Sequence, residues 1–317
     1  MPHMAGMTRV PFSAHAALTQ WQFGPFAVLV AAALLAAAVW YLRGVWQLSA
    51  RGRAWSWLRT LSFMAGLVAV DLALQSPVAT FTAMYFQAHV TQHLLLMVVA
   101  PPLLAMGAPM TLILQTSSRR TKTFFLAILN SRPFRVISHP IPTWFLYYFA
   151  MFAFFLTFAL GFAMEHMWVM DLINIAFLFG ATLFWWPIVG LDPIPHWRQS
   201  HGTKMVNLLI GVPVETFLGL ALLSAARSAA PMYSLASTHA GGGILWVGAE
   251  IFTVVAFIPV FISWMRAQER EGARFDARQD AAAAKAAAGA TEVAEPAPGA
   301  RRSAWLPPSR VNDAAAP

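Results

Sequence analysis

Two histidines and a methionine lie at four-residue intervals in the segment AHVTQHLLLMVVAPPLLAMGAP, residues 88–109. Side chains four positions apart share one face of a helix, so His89, His93 and Met97 are predicted to form a single stripe. The chain contains no cysteine, and imidazole together with thioether is a ligand set suited to copper, particularly Cu(I). The stripe therefore predicts a metal site. The alternative places His89 in the headgroup region, has His93 hydrogen-bonded to a neighbouring helix, and makes Met97 a packing residue.

Two acidic residues are predicted to lie at the depth of His93. Counted along their spans at 1.5 Å per residue, Asp71, His93 and Glu250 each lie roughly 10 Å below the outer end of the bundle. A carboxylate at that depth would orient the histidine through its second ring nitrogen, as metal-bound histidines usually require. The alternative pairs Asp71 or Glu250 with serine, threonine or backbone groups. Glu215 lies deeper and is predicted either to be protonated and hydrogen-bonded or to belong to an ion path.

A further group of candidate ligands lies in the segment AMEHMWVMD, between two apolar runs. Methionines recur every third residue around His166, at positions 164, 167 and 170, and predict an entrance to a copper site. Methionine and tryptophan at a membrane interface are also ordinary anchors, so both interpretations stay open. His239 is predicted to lie in a loop, with the glycines at 241–243 opening the turn into the last helix.

The composition requires membrane-spanning helices to position these residues. Of 317 residues, 58% are hydrophobic and only 11% are charged, which is not the balance of a water-soluble domain. Seven apolar runs are each long enough to cross about 30 Å of hydrocarbon, and none alternates in polarity as barrel strands do. We predict an all-α, polytopic membrane helix bundle with seven spans, at about 26–43, 60–77, 86–107, 143–162, 170–190, 205–225 and 243–264.

Basic residues indicate which ends of the spans face the cytoplasm. The loop after the first span carries four arginines and the loop after the third carries five basic residues, without an acidic residue in either. Positively charged loops stay on the cytoplasmic side, so the amino terminus is predicted to lie outside and the carboxyl terminus inside. The formal charge of +8 is then a topology signal, and no nucleic-acid partner is predicted.

The chain is predicted to divide into three parts. Residues 1–25 form an extracytoplasmic segment, 26–267 form the seven-helix membrane domain, and 268–317 form a cytoplasmic tail that is charged and rich in alanine and proline. The charged residues near 265–280 are predicted to extend the last helix. Residues 281–317 lack the apolar surface needed to fold alone and are predicted to be disordered.

Three segments resemble the signature segments of a known family. HVTQHLLLMVVAPPLLAMGAP, FLFGATLFWWPIVGLDPIP and GGGILWVGAEIF occur in this order within roughly residues 60–275, and they are similar to those of the seven-helix CtaG-type cytochrome c oxidase assembly factors. On this resemblance the family's histidine pair falls on His89 and His93, and its proline break falls on Pro101 and Pro102. The resemblance implies a bacterial plasma-membrane protein that is needed to produce active copper-containing terminal oxidase.

The resemblance and the histidine stripe together predict a function. We expect a membrane assembly factor, not an enzyme, that binds or delivers copper at the outer face of the membrane through His89, His93, Met97, His166, Asp71 and Glu250. Its implied partners are oxidase subunits or a copper chaperone, within the lipid bilayer. Two alternatives stay open: a haem-binding redox protein with His93 and a histidine of another helix as iron ligands, and a copper permease that uses Asp71, Glu215 and Glu250 as a path.

Overall fold

The computed structural model describes residues 19–192 and 199–294, with side chains described as far as residue 286. In these residues every regular element is helical, which confirms the predicted all-α fold. A π-helical turn at Leu95–Val99 joins the fourth and fifth helices. The helices are α1 (Pro25–Ala50), α2 (Trp57–Gln75), α3 (Pro77–Phe81), α4 (Phe86–Leu94), α5 (Ala100–Met106), α6 (Pro109–Thr116), α7 (Arg119–Leu129), α8 (Arg132–Ile137), α9 (Pro140–Leu156), α10 (Ala159–Glu165), α11 (Met167–Val189), α12 (His201–Leu223) and α13 (Leu235–Ala294).

Six of the seven predicted spans correspond to helical segments long and apolar enough to cross a membrane, and the seventh corresponds to two helices that meet this criterion only when taken together. Six are nearly continuous: α1, α2 with α3, the composite Phe86–Thr116, α11, α12 and the first part of α13. The remaining one is the pair α9 and α10, which is bent by 75° where the two helices meet. The chain is therefore a multi-pass membrane helix bundle, while the direction in which its termini face stays a prediction.

The last span begins earlier than its sequence suggested. Helix α13 begins at Leu235, so the glycines at 241–243 lie within it and His239 is on a helix, where the sequence analysis expected a turn and a loop. These glycines allow close packing instead. A Cβ added to Gly242 would lie 2.5 Å from the backbone nitrogen of Leu223, closer than any side chain tolerates. The glycines thus bring α13 against the end of α12.

The third span is interrupted where two prolines occur. Pro101 has no N–H, so in α-helical register it leaves the carbonyl oxygen of Met97, four residues earlier, without its usual donor. The indole N–H of Trp185 in α11 replaces the missing donor and forms a hydrogen bond to that oxygen, with Nε1 at 2.9 Å. In the π-turn immediately before the prolines, the N–H of Ala100 donates a hydrogen bond to the carbonyl oxygen of Leu95, five residues earlier.

The start of helix α6 is capped by Asp192, which follows the fifth span. Ala108 has a left-handed backbone, with φ at 49°, and α6 begins at the next residue. The carboxylate of the buried Asp192 accepts hydrogen bonds from the backbone N–H of Met110 at 3.1 Å and of Thr111 at 2.7 Å. It also accepts one from the Thr111 hydroxyl at 2.6 Å. Asp192 therefore caps a helix that lies 81 residues earlier in the chain.

The chain divides into two compact units after Trp264. In the second unit helix α13 continues to Ala294, whereas the sequence analysis predicted disorder from residue 281. Alanine has the highest helix propensity of all residues, and the segment at 281–290 is AAAAKAAAGA. This local preference accounts for helix in a segment whose described side chains are exposed. The predicted cytoplasmic location of the tail stays a prediction.

Candidate functional site

The histidine pair lies at the centre of the bundle. His89 and His93 are both on α4, as their spacing predicted, and both side chains are fully buried, at 0% exposure. Their ring centroids are 4.8 Å apart and the rings are tilted by 42°. The two imidazoles are therefore adjacent side chains, one helical turn apart.

Aromatic side chains surround the two imidazoles. Phe154 and Phe155 of α9 contact both rings, with centroid distances of 5.3 Å and 5.5 Å to His93. Phe177 of α11 lies 5.0 Å from His93. The pair therefore lies in an apolar, water-excluding environment, which favours neutral imidazoles over imidazolium.

Most of the nitrogens in this pair have no hydrogen-bond partner among the described residues. The unpartnered atoms are Nε2 of His89 and both Nδ1 and Nε2 of His93. A buried polar atom left unsatisfied costs about 1–3 kcal/mol, and natural proteins seldom keep several together without a reason. Three such atoms lie on these two adjacent rings, so each ring has at least one nitrogen without a protein partner among the described residues.

Tyr233 determines which nitrogen of His89 carries the proton. Its hydroxyl donates to the carbonyl oxygen of Thr82 at 2.6 Å, and that oxygen can only accept. The same hydroxyl lies 3.1 Å from Nδ1 of His89, so Nδ1–H donates to the phenolic oxygen. In this tautomer Nε2 of His89 keeps its lone pair free for a ligand. Burial raises the pKa of Tyr233, which keeps its hydroxyl protonated.

The sequence analysis did not find Tyr233. The residue is one of five tyrosines in the chain, and it lies between α12 and α13, 144 residues after His89. Its hydroxyl also lies 3.7 Å from the sulfur of Met164, a methionine of the predicted entrance. The sequence offered one indication of Tyr233: it is an aromatic residue with a polar group just before the last span.

The two predicted carboxylates have polar partners of their own. Asp71 accepts a hydrogen bond at 2.6 Å from the side chain of Gln75, one turn further along α2. Glu250 accepts two, from the hydroxyl of Thr216 and the indole of Trp246, both at 2.6 Å. These contacts correspond to the alternative in which the acidic residues are paired within the bundle, with a glutamine in the case of Asp71.

The remaining predicted ligands lie at separate places. Met97 is buried in the π-turn and lines a cavity of about 20 Å³ together with Met151 and Glu215. His166 is the residue just before α11, and its Nδ1 lies 2.9 Å from the carbonyl oxygen of Phe162. In the part of the chain that the structure describes, no three His, Asp or Glu side chains are grouped so that they could hold a metal ion. The structure brings together the histidine pair, and not the six predicted ligands as one set.

Comparison with known proteins identifies the family. The sequence model of the cytochrome c oxidase caa3 assembly factors (CtaG) matches residues 39–267, which include α4, both prolines of the third span and most of α11 to α13. This chain belongs to that family. Membership together with the apolar helices makes it a multi-pass protein of the bacterial plasma membrane. The sequence resemblance is thereby confirmed.

Curated relatives are mycobacterial. Uncharacterized proteins of Mycobacterium bovis and Mycobacterium tuberculosis are each 27% identical to this chain, over 83% of its length and 42% of theirs. A protein of Mycobacterium leprae is 26% identical over the same shares. The chain thus spans about two fifths of the length of these relatives. No solved structure matches it.

Proposed function

We propose that this member of the caa3 assembly factor family binds a copper ion between His89 and His93 and passes it on during assembly of cytochrome c oxidase. The family supplies the link to oxidase assembly. The copper step rests on one observation, the three unpartnered ring nitrogens of two buried histidines 4.8 Å apart. The receiver is an oxidase subunit or a copper chaperone.

The donor set fits monovalent copper better than other common metals. Structural zinc sites use four protein ligands and catalytic ones use three, whereas this site presents two imidazoles. Hard cations prefer carboxylate and carbonyl oxygen, and the carboxylates of Asp71 and Glu250 are hydrogen-bonded elsewhere. Cu(I) accepts two nitrogen ligands in an apolar environment. Tyr233 orients one of these ligands, and the phenylalanines exclude water from both.

Among the residues that the structure describes, no carboxylate is grouped with the histidine pair, which suits a delivery site. A cation held by two neutral imidazoles in an apolar setting remains an uncompensated buried charge, which is costly. A carboxylate beside the ion would make binding tighter and release slower. The site therefore favours a transient stay of copper over permanent storage.

Copper is also favoured over haem by the arrangement of the histidines. Two axial haem ligands must approach the iron from opposite faces of the porphyrin, which requires them on facing helices. His89 and His93 lie one turn apart on the same helix. The phenylalanines pack directly against both rings, so a porphyrin would have to displace them.

The deciding experiment measures copper in the full-length protein purified without oxygen. We expect about one copper per chain in the wild type and a loss of that copper in the variant that carries both His89→Ala and His93→Ala. His239→Ala is the matched control, because its ring bonds to the carbonyl oxygen of Ala225, away from the pair. Oxidase activity in the same cells should fall only in the double variant.

The same experiment can refute the proposal. Unchanged copper content in the double variant would exclude the histidine pair as the copper site. Copper accumulation inside sealed vesicles, abolished by replacement of Glu215, would instead indicate a permease. A visible haem spectrum in the purified protein would indicate the redox alternative.

A further inference from the structure

The segment between the third and fourth spans contains two short helices, α7 and α8. They have 11 and 6 residues, whereas a helix needs about 20 residues to cross the hydrocarbon of a membrane. The third span ends at Thr116, and α9, which begins the fourth span, starts at Pro140. Because the chain leaves the membrane at one span and re-enters it at the next, both helices lie at the membrane surface. The predicted topology makes this the cytoplasmic surface.

One face of α7 attaches the two helices to the bundle. Leu129 is buried in a small cluster with Met110 and Ile113 of α6. Phe125, four positions before Leu129 and therefore on the same face, packs against this cluster, and so does Phe134 of α8. This face of α7 is therefore already occupied by the protein.

A second apolar face of these helices is exposed. Phe124 and Ile128 are also four positions apart and share a face of α7, and they are 62% and 43% exposed. On α8, Val136 and Ile137 are 64% and 43% exposed. At a membrane surface, the outward apolar side chains of an amphipathic helix enter the boundary between headgroups and acyl chains. We therefore expect lipid to cover this face.

The beginning of α7 carries a concentration of positive charge. Arg119, Arg120 and Lys122 lie in its first four residues, and the first turn contains no acidic residue. The sequence has no acidic residue between Asp71 and Glu165. None of the three basic side chains forms an ion pair with another residue that the structure describes. Their charge is therefore directed to a partner outside the chain.

The basic loop after the first span differs in this respect. Arg51 donates a hydrogen bond to the carbonyl oxygen of Gln115 at 3.4 Å. The guanidinium of Arg59 lies over the ring of Trp55, 5.0 Å from its centroid. These two arginines contact the protein itself, so the orientation of the spans alone accounts for the charge of that loop. It does not account for cations next to an exposed apolar face on α7.

We infer that α7 and α8 bind the anionic lipids of the membrane surface. The phosphates bind at Arg119, Arg120 and Lys122, and the side chains of Phe124 and Val136 enter the acyl boundary. Anionic lipids are concentrated in the cytoplasmic leaflet and attract basic segments beside a span. An acidic soluble protein would match the charges, but it would leave the apolar side chains at the lipid boundary without a role. The inference is independent of copper binding.

The test measures which lipids surround α7 in the full-length protein. The chain has no cysteine, so Phe124→Cys carries a fluorophore at one position only. The protein is reconstituted in phosphatidylcholine nanodiscs that contain a small fraction of nitroxide-labelled phosphatidylglycerol or nitroxide-labelled phosphatidylcholine. The ratio of the two quenching efficiencies gives the relative affinity of the surface for the anionic lipid. We expect a preference of about fivefold or more, since one basic residue near an anionic surface contributes about this factor.

Matched variants separate the basic residues of α7 from charge in general. Replacing Arg119, Arg120 and Lys122 together with glutamine should bring the preference close to one. The control replaces three exposed arginines of the second unit with glutamine, at positions 270, 274 and 278, and should keep the preference. A fluorophore on Thr123→Cys, on the same helix face as Arg119, should be quenched less by either lipid.

Three results would overturn the inference. The first is equal quenching by the two lipids in the unaltered surface, which would exclude an anionic preference. The second is an equal fall in preference in both triple variants, which would assign the effect to net charge. The third is quenching at position 124 no stronger than at position 123, which would show that the apolar face of α7 does not contact lipid.

Discussion

Replacing Trp185 with phenylalanine tests how the third span tolerates its two prolines. The change removes the indole N–H that donates to the carbonyl oxygen of Met97 at 2.9 Å and keeps an aromatic ring. Because Pro101 has no N–H, that oxygen would be left without its helical donor in an apolar interior. We expect the free energy of unfolding to fall.

The size of the loss follows from the kind of bond removed. An unsatisfied buried polar group costs about 1–3 kcal/mol in soluble proteins, whereas hydrogen bonds between membrane helices contribute about 0.6 kcal/mol on average and about 1.7 kcal/mol at most. Met97 is only 2% exposed, so we expect the upper part of the membrane range, about 1–2 kcal/mol including the lost ring area. Titration with a denaturing detergent in mixed micelles measures it.

A double-mutant cycle isolates the hydrogen bond from packing. Pro101→Ala restores an N–H at position 101 that can donate to the Met97 oxygen, so Trp185→Phe should cost about 1 kcal/mol less in that background than in the wild type. If Trp185→Phe costs the same in both backgrounds, the indole contributes only packing. The account of the broken helix would then be wrong.

Three further predictions follow from other contacts. Tyr233→Phe should lower copper affinity about 10- to 100-fold, since it removes the group that orients His89; a similar loss in Met164→Leu would contradict that role. Asp192→Ala should cost about 0.5–2 kcal/mol of stability through loss of a helix cap. Burial raises the pKa of Asp192 and outweighs its hydrogen bonds, so the folded state holds this proton more tightly than the unfolded chain does and stability should fall as pH rises through the raised pKa. Asp192→Asn should flatten this pH dependence in pH-resolved unfolding. Gly242→Ala should destabilise the protein by about 1–3 kcal/mol by forcing α12 and α13 apart, whereas Gly243→Ala, with no atom nearer than 3.9 Å to the new Cβ, should unfold close to wild type.

The sequence predicted the seven spans because hydrocarbon thickness fixes their length and composition. It also predicted the shared face of His89 and His93, which follows from helical periodicity alone. The rise per residue assigned a common depth to Asp71 and Glu250, which stays a prediction. Depth does not determine which neighbours a side chain meets: Asp71 pairs with Gln75 of its own helix, and Glu250 accepts a hydrogen bond from Thr216 of α12.

Contacts between distant parts of the chain were beyond the reach of such reasoning. Tyr233 meets His89 only because the segment after α12 packs against the start of α4. The glycines before Ile244 suggested a turn, yet their lack of side chains serves helix contact. A tyrosine or a run of glycines can serve several structural roles. Which role applies depends on the helix packed against it, and the sequence does not show that helix.

The hydrogen bonds that Trp185 and Asp192 make to the third span have a consequence for membrane insertion. Trp185 and Asp192 reach the membrane 88 and 81 residues after the groups they bind, Met97 and Thr111. During synthesis from the amino terminus, the third span must therefore enter the bilayer with a free carbonyl and an uncapped helix start. It stays an unfinished insertion intermediate until the fifth span arrives.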